Sequence, residues 1–253
     1  MAQFDGKVAF VTGGGSGIGR EVSLALSREG ASVMVADLVE KGATETVNLI
    51  RNAGGKAEYV LLDVSKLADV QNAIQQTVRK FGKLNYAFNN AGIAGEQATV
   101  ADVSEAGWNR VIGINLNGVF YGIKSEIPEL LKAGGGAIVN TASILGVVGS
   151  ASSAAYTAAK HGVIGLTQTA ALEYATQGIR INAVAPGYIY TPLLEGAGMT
   201  EGSDIYKYIS GLHAMKRMGT PAEIAEAVIW LFSDKASFVT GTALLVDGGY
   251  TAQ

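Results

Sequence analysis

The chain has 253 residues with 19 Lys+Arg against 22 Asp+Glu, a net charge of −3, so it lacks the basic surplus that nucleic-acid binding as a main task would need. Hydrophobic residues at 48% and charged residues at 16% exclude disorder for most of the chain, and zero cysteines exclude disulfide scaffolds, thiolate nucleophiles, Cys-ligated zinc and iron–sulfur clusters. Glycine is abundant at 34 residues while proline is only 4, which points to tight turns and close backbone approach and not to a flexible linker.

Asp5 interrupts the opening residues and no basic segment with an apolar run follows, so no leader is expected and the chain is read as cytoplasmic. A short β-branched run at residues 8–12 precedes helical periodicity over 18–29; a strand at 32–36 then precedes a helix over 40–53. The alternation continues with strand 58–62, helix 66–81, strand 84–88, helix 105–131, strand 137–141, helix 153–175 and strand 180–184. The longest uncharged stretch, between Lys132 and Lys160, is full of Gly, Ser, Thr and Asn and so fails as a membrane span. After Pro186 the pattern breaks into turn residues and scattered aromatics, an expected substrate flap over about 193–219 that is mobile without ligand. Thr220-Pro221-Ala222-Glu223 then carries a capping hydroxyl, proline at the first helical position and glutamate at the third. A last strand at 243–246 ends at Asp247-Gly248-Gly249. Near-continuous apolar strands alternating with helices predict one α/β domain over 1–253, a doubly wound parallel sheet of about seven strands with helices on both faces.

Directly after the first strand stands Thr12-Gly13-Gly14-Gly15-Ser16-Gly17-Ile18-Gly19, opening a helix. Gly13, Gly17 and Gly19 allow a sharp turn, backbone approach to a pyrophosphate and close packing of helix on sheet. No Gly-Lys-Ser/Thr ends the motif, which excludes a P-loop. The Gly13-x3-Gly17-x-Gly19 spacing resembles the short-chain dehydrogenase/reductase family, whose fold is of the Rossmann type. Asp37, eighteen residues past Gly19, stands where a carboxylate would bond a ribose 2′-hydroxyl and repel a 2′-phosphate, favouring NAD over NADP; it could also serve as a helix N-cap. Ser16 supports the same choice, because NADP-preferring relatives often carry a basic residue there. The resemblance further implies that Asp63-Val64 faces adenine and that Asn90, in Asn89-Asn90-Ala91-Gly92, lies along the adenosine ribose.

At the chemical end there are only His161 and His213, with no His-Glu-x-x-His and no Gly-x-Ser-x-Gly, so a zinc hydrolase or an α/β-hydrolase triad lacks its parts and no metal is expected. Among ten tyrosines only Tyr156 has a lysine four residues on, Lys160, on the same helix face. A phenol becomes a base near neutral pH only if its anion is stabilised, and the Lys160 ammonium is the direct means. Ser143, thirteen residues earlier at the end of the fifth strand, can hold the substrate oxygen while Tyr156 exchanges the proton. Asn115, a poor helix former inside a helix, is expected to hold a water that relays protons to Lys160. His161 turns away from Lys160 and reads as packing or a subunit contact, and His213 on the flap as a substrate contact or a plain surface residue.

Asn115, Ser143, Tyr156 and Lys160 resemble the family's catalytic tetrad, and Pro186-Gly187 followed by Tyr188-Ile189-Tyr190-Thr191 resembles its nicotinamide-side loop, with Ile189 and Thr191 as cofactor contacts. In the family Lys160 also holds the nicotinamide ribose. The expectation is an NAD-dependent oxidoreductase that interconverts a secondary alcohol and a ketone by direct hydride transfer, with a small-molecule substrate and no membrane partner. Its rivals are a 3-oxoacyl-thioester reductase and a non-catalytic nucleotide-sensing protein. A homotetramer is implied mainly by the resemblance, with weakly charged helices around 113–122 and 154–171 suited to packing against a partner.

Overall fold

Strand β1 (Val8–Thr12) is buried at all five positions, as a strand must be when helices cover both faces of its sheet. Its side chains divide by the period of two: Ala9 and Val11 enter one apolar layer and Phe10 the other. The chain is seen in a computed structural model, which describes residues 2–196 and 198–252. Met1, Ala197 within the expected flap, and Gln253 lie outside the described residues.

The seven strands are β1, β2 (Ser32–Asp37), β3 (Lys56–Leu61), β4 (Tyr86–Asn89), β5 (Gly136–Thr141), β6 (Ile179–Pro186) and β7 (Ala243–Val246). They form one parallel sheet in the order β3-β2-β1-β4-β5-β6-β7, the doubly wound topology expected. Helices α1 (Gly17–Arg28), α2 (Glu40–Asn52) and α9 (Pro221–Phe232) cover one face through Val22, Leu26, Val47, Ile50, Ile224 and Val228. The other face is covered by α3 (Leu67–Phe81), α5 (Gly118–Lys132) and α6 (Ala154–Tyr174), through Val70, Ile74, Val119, Ile123, Val163 and Ala170. Thr220 caps α9 by accepting from the Glu223 N–H, and the Glu223 carboxylate returns to the Thr220 N–H at 2.8 Å, the box expected from sequence. The sheet order reverses between β1 and β4, and a parallel sheet opens a ligand crevice outside the carboxyl ends of such strands.

Two segments differ from the sequence reading. The helix expected over 105–131 is α4 (Glu105–Ile112), a π-helical turn at Gly113–Asn117, then α5; a π turn inserts one residue per turn, which hydrophobic periodicity hardly senses. Within the expected flap stand two short helices, α7 (Pro192–Gly196) and α8 (Asp204–Gly211), the second capped by Ser203. A bridge between Ile189 and Gly219 closes the base of this segment.

A buried polar row crosses the sheet under α5 and α6. Asn89 of β4 and Asn140 of β5 are lateral neighbours, and the Asn89 amide donates to Asn140 Oδ1 and to Glu126 Oε2, each at 3.0 Å. Asn140 in turn donates to Thr167 Oγ1 at 2.9 Å. Glu126 is fully buried, and the loss of hydration pushes its carboxyl up to about 8 from an ordinary 4.5, against a small downward pull from Asn89. The folded chain therefore keeps a proton that the unfolded chain releases, so stability falls as pH rises from 4.5 towards 8. Glu126→Gln is expected to remove that loss, stabilising the fold at neutral pH by about 3 kcal/mol. Urea unfolding of both chains at about pH 5 and pH 7 checks it; a stability difference that does not widen with pH overturns the assignment.

Candidate active site

The glycine loop after β1 is shaped by backbone that a side chain would strain: Gly13 and Gly17 hold φ of +63° and +52°. At Gly19 a Cβ would run into the Gly13 carbonyl, so α1 can lie this close to the loop only without one. Ser16 is the N-cap residue of α1 but its side chain makes no cap, which leaves the first helical N–H groups available to an anion. The loop is braced from behind by residues the sequence reading passed over. The Arg20 guanidinium donates to the Gly15 carbonyl, to Thr46 Oγ1 at 3.0 Å and to Glu45 at 3.0 Å, and Thr46 donates to Gly14 O at 2.9 Å. These partners lie in α2, so no local pattern announces them.

Asp37 ends β2 and accepts from the Gly15 N–H at 2.8 Å and the Val39 N–H at 2.9 Å. It is not the helix cap considered from sequence, since the N-cap residue of α2 is Val39. Its carboxylate borders a cavity of about 370 Å³ that also brings together Gly13, Ser16, Gly17, Ile18, Asp63, Val64, Asn90 and Thr191. Gly187 and Ile189 instead line a separate hollow of about 250 Å³, and neither hollow includes Pro186 or Gly19. Asp63 accepts from the Ser65 hydroxyl at 2.6 Å, which together with Lys66 at 3.2 Å holds it below the usual carboxylate range. Asn90 ties the fourth strand to the loop, donating through its amide to Thr12 O at 3.1 Å and through its backbone N–H to Thr12 Oγ1 at 2.9 Å.

Ser143 follows β5 and accepts from the Leu145 N–H at 3.1 Å, and its hydroxyl is hydrogen-bonded with Tyr156 in the first turn of α6. Tyr156 and Lys160 stand one turn apart there, with Lys160 Nζ 5.6 Å from the centre of the Tyr156 ring. Lys160 is almost wholly buried, donates to Thr141 O at 2.6 Å, and is lowered to about 8 by loss of hydration. Burial pushes the Tyr156 phenol up; the hydrogen bond with Ser143 opposes that, and the neighbouring Tyr188 phenol adds to the rise. Lys160 gives one of its three N–H donors to the Thr141 carbonyl, and its charge stands 5.6 Å from the centre of the Tyr156 ring.

Asn115 sits between α4 and α5. It is fully buried in the π turn, accepts from the Ile93 N–H at 2.9 Å and donates to Ile93 O at 2.8 Å. With both ends of its side chain on one backbone residue, Asn115 clamps the loop after β4, using one of its two amide N–H groups and one of its two oxygen lone pairs. His213 is not a surface residue, and it lines the same hollow as Gly187 and Ile189. It is 1% exposed, its Nε2 accepts from the Tyr188 N–H at 3.2 Å and its Nδ1 donates to Ile209 O at 3.0 Å, which requires the neutral Nδ1–H tautomer. Its ring stacks edge-on against Tyr188 and Tyr250, so α8, the loop after β6 and the C-terminal turn are held together. His161 is exposed and rests on Thr157 O at 3.0 Å. Among the described residues no cluster of His, Asp and Glu could hold a metal ion, and no helix is long and apolar enough to cross a membrane.

Residues 13–251 match the family model described as Enoyl-(Acyl carrier protein) reductase. Cyclohexanol dehydrogenase from Acinetobacter sp. is 49% identical over 251 residues, 99% of this chain and 97% of the relative. Cis-4-hydroxycyclohexanecarboxylate dehydrogenase from Sinomonas cyclohexanicum is 44% identical over 249 residues, 98% of each chain. Among solved structures, NAD+-bound xylitol dehydrogenase superposes with a TM-score of 0.92 at 34% identity, over 98% of this chain and all of that one.

Proposed function

Because the chain belongs to the short-chain dehydrogenase/reductase family, we propose that it is an NAD-preferring enzyme interconverting a secondary alcohol and a ketone, its substrate a saturated six-membered ring carrying the hydroxyl. The observation that carries the reading is the convergence of Ser143, Tyr156 and Lys160 at the carboxyl end of β5, where Thr141 O accepts from Lys160 and Thr141 Oγ1 donates to Asn90, a residue of the cleft that the glycine loop opens.

The cleft fits a dinucleotide. It combines glycine backbone at positive φ, an uncapped α1 N-terminus for phosphate and a carboxylate at Asp37 for a ribose hydroxyl. A bound nicotinamide supplies the hydride acceptor or donor. Ser143 donates to the substrate oxygen; in oxidation Tyr156, as the phenolate, takes the hydroxyl proton, and in reduction the phenol returns it. Below about pH 8 Lys160 remains an ammonium close to the phenol ring, which favours the phenolate as that proton moves. Leu193 at the cavity mouth and the exposed Tyr208 suit the segment over 193–219 as an apolar cover for the ring. Exposed apolar side chains support a homotetramer: Trp108, Phe120 and Leu172 on α4 to α6, and Trp230, Phe238 and Leu245 around α9 and β7.

Cofactor reduction followed at constant alcohol concentration tests the reading, with cyclohexanol and an open-chain secondary alcohol as substrates and NAD and NADP as cofactors. NAD is expected to exceed NADP by at least ~10-fold in kcat/KM, a like-charge mismatch of roughly 1.4 kcal/mol or more. Asp37→Ala should lower the NAD value, since Gly15 loses its acceptor, and narrow the gap. Equal efficiencies in the wild type would show that Asp37 does not select the cofactor, and no reduction with any secondary alcohol would remove the activity itself.

A further inference from the structure

Glu126 takes no part in the chemistry described above, yet it is 0% exposed, and among the described residues it makes a single hydrogen bond, from the Asn89 amide, while its Oε1 has no partner. A carboxylate so placed would lose far more hydration than one hydrogen bond returns, so the group is a neutral acid and the unpartnered oxygen carries the proton. Its helix is pressed onto Asn89, because a Cβ on Gly122, one turn earlier, would collide with the Asn89 side chain. The Asn89–Asn140 rung stands one residue before Asn90 and Thr141, the rung that holds the site. Thr141 O receives Lys160 Nζ at 2.6 Å, and Thr141 Oγ1 donates to Asn90 Oδ1 at 3.3 Å.

We propose that Glu126 is a positioning residue for the alcohol–ketone chemistry: through the Asn89–Asn140 rung it sets where β4 and β5 end, and so where the Thr141 carbonyl holds Lys160 and where Asn90 holds the glycine loop. This rests on the functional reading above. A neutral group of the same shape preserves the register, whereas an apolar group leaves the Asn89 amide without its acceptor and lets the two strand ends shift.

The test uses the full chain as wild type, Glu126→Gln and Glu126→Leu. Infrared difference spectra at neutral pH should show a protonated carboxylic-acid carbonyl band in the wild type that Glu126→Gln lacks. Glu126→Gln should keep kcat and the NAD dissociation constant within about 2-fold. Glu126→Leu should lower kcat and weaken NAD binding by about 10-fold each, with the alcohol KM little changed and thermal stability at least that of the wild type, the signature of displaced groups in an intact fold. Should Glu126→Leu not fold, Asn140→Ala cuts the same rung at its other end and is expected to give the same kcat loss. Absence of the acid band, a 10-fold loss in Glu126→Gln, or wild-type kcat and NAD affinity in Glu126→Leu would each overturn the proposal. A wild type that binds NAD but oxidises no alcohol would instead remove the functional reading, and the infrared band and NAD binding would still decide the role of Glu126.

Discussion

Tyr156→Phe is expected to lower kcat by about 10³-fold, the middle of the range for removing a positioned acid–base group, while NAD binding stays within about 2-fold. The ring packs with Val111, Ala155 and Ala159, and those contacts survive the loss of one oxygen. Ser143 keeps its bond from the Leu145 N–H, so no buried hydroxyl is left without a partner. Burial pushes the phenol up and the hydrogen bond with Ser143 opposes the rise, so the hydroxyl is already coupled to the group that would hold the substrate oxygen. Stopped-flow turnover together with calorimetric titration of NAD separates the two quantities. A variant that keeps a tenth or more of the wild-type rate would take the proton-transfer role away from Tyr156.

Lys160→Met should reduce kcat by about 10²-fold or more and also weaken NAD binding, because the ammonium is proposed to serve both the phenol and the nicotinamide ribose. Its effect on stability runs the other way from its effect on activity. Burial lowers Lys160 to about 8 from an ordinary 10.5, so between those values the unfolded chain binds a proton that the folded chain does not. Stability contributed by this site therefore rises with pH from about 8 to 10.5, and below 8 the full cost of burying the charge is present, on the order of 3 kcal/mol. Methionine removes that cost but leaves Thr141 O without its donor, a penalty of about 1–3 kcal/mol. The variant is thus expected to unfold at neutral pH with stability equal to or above the wild type while nearly inactive. Loss of activity with unchanged NAD affinity would refute the ribose role, and a strongly destabilised variant would show that the lysine is there to hold the fold.

The parts of this molecule legible in its sequence are those whose causes lie within a few residues of one another. Strand β1 is a run of apolar residues because both of its faces are covered, and that run reads the same in sequence as in space. The Thr220–Glu223 box and the Gly13, Gly17 and Gly19 spacing act within one turn or one loop. Tyr156 and Lys160 share a helix face by their four-residue spacing alone. The seven-stranded parallel sheet followed from the alternation of such local signals, and with it the side of the sheet on which a site could form.

Partners that local sequence could not supply stood far away along the chain. Asn115 is expected to hold a water, and its side chain also clamps the backbone of Ile93, twenty-two residues earlier. His213 looked like a flap residue, but it is neutral and buried between Tyr188 and Ile209 because the C-terminal turn carrying Tyr250 folds over it. Glu126 drew no reading from sequence, and it is buried where β4 brings Asn89 beneath it. Composition, helical period and turn chemistry determined the fold class, the glycine loop and the Tyr–Lys pair, since each depends on backbone geometry over a turn or a strand. Only the tertiary structure decided which polar side chains are clamps and which remain open to chemistry, because a buried polar group takes the nearest partner that packing presents, and that partner is set by strand order and helix placement across the whole chain.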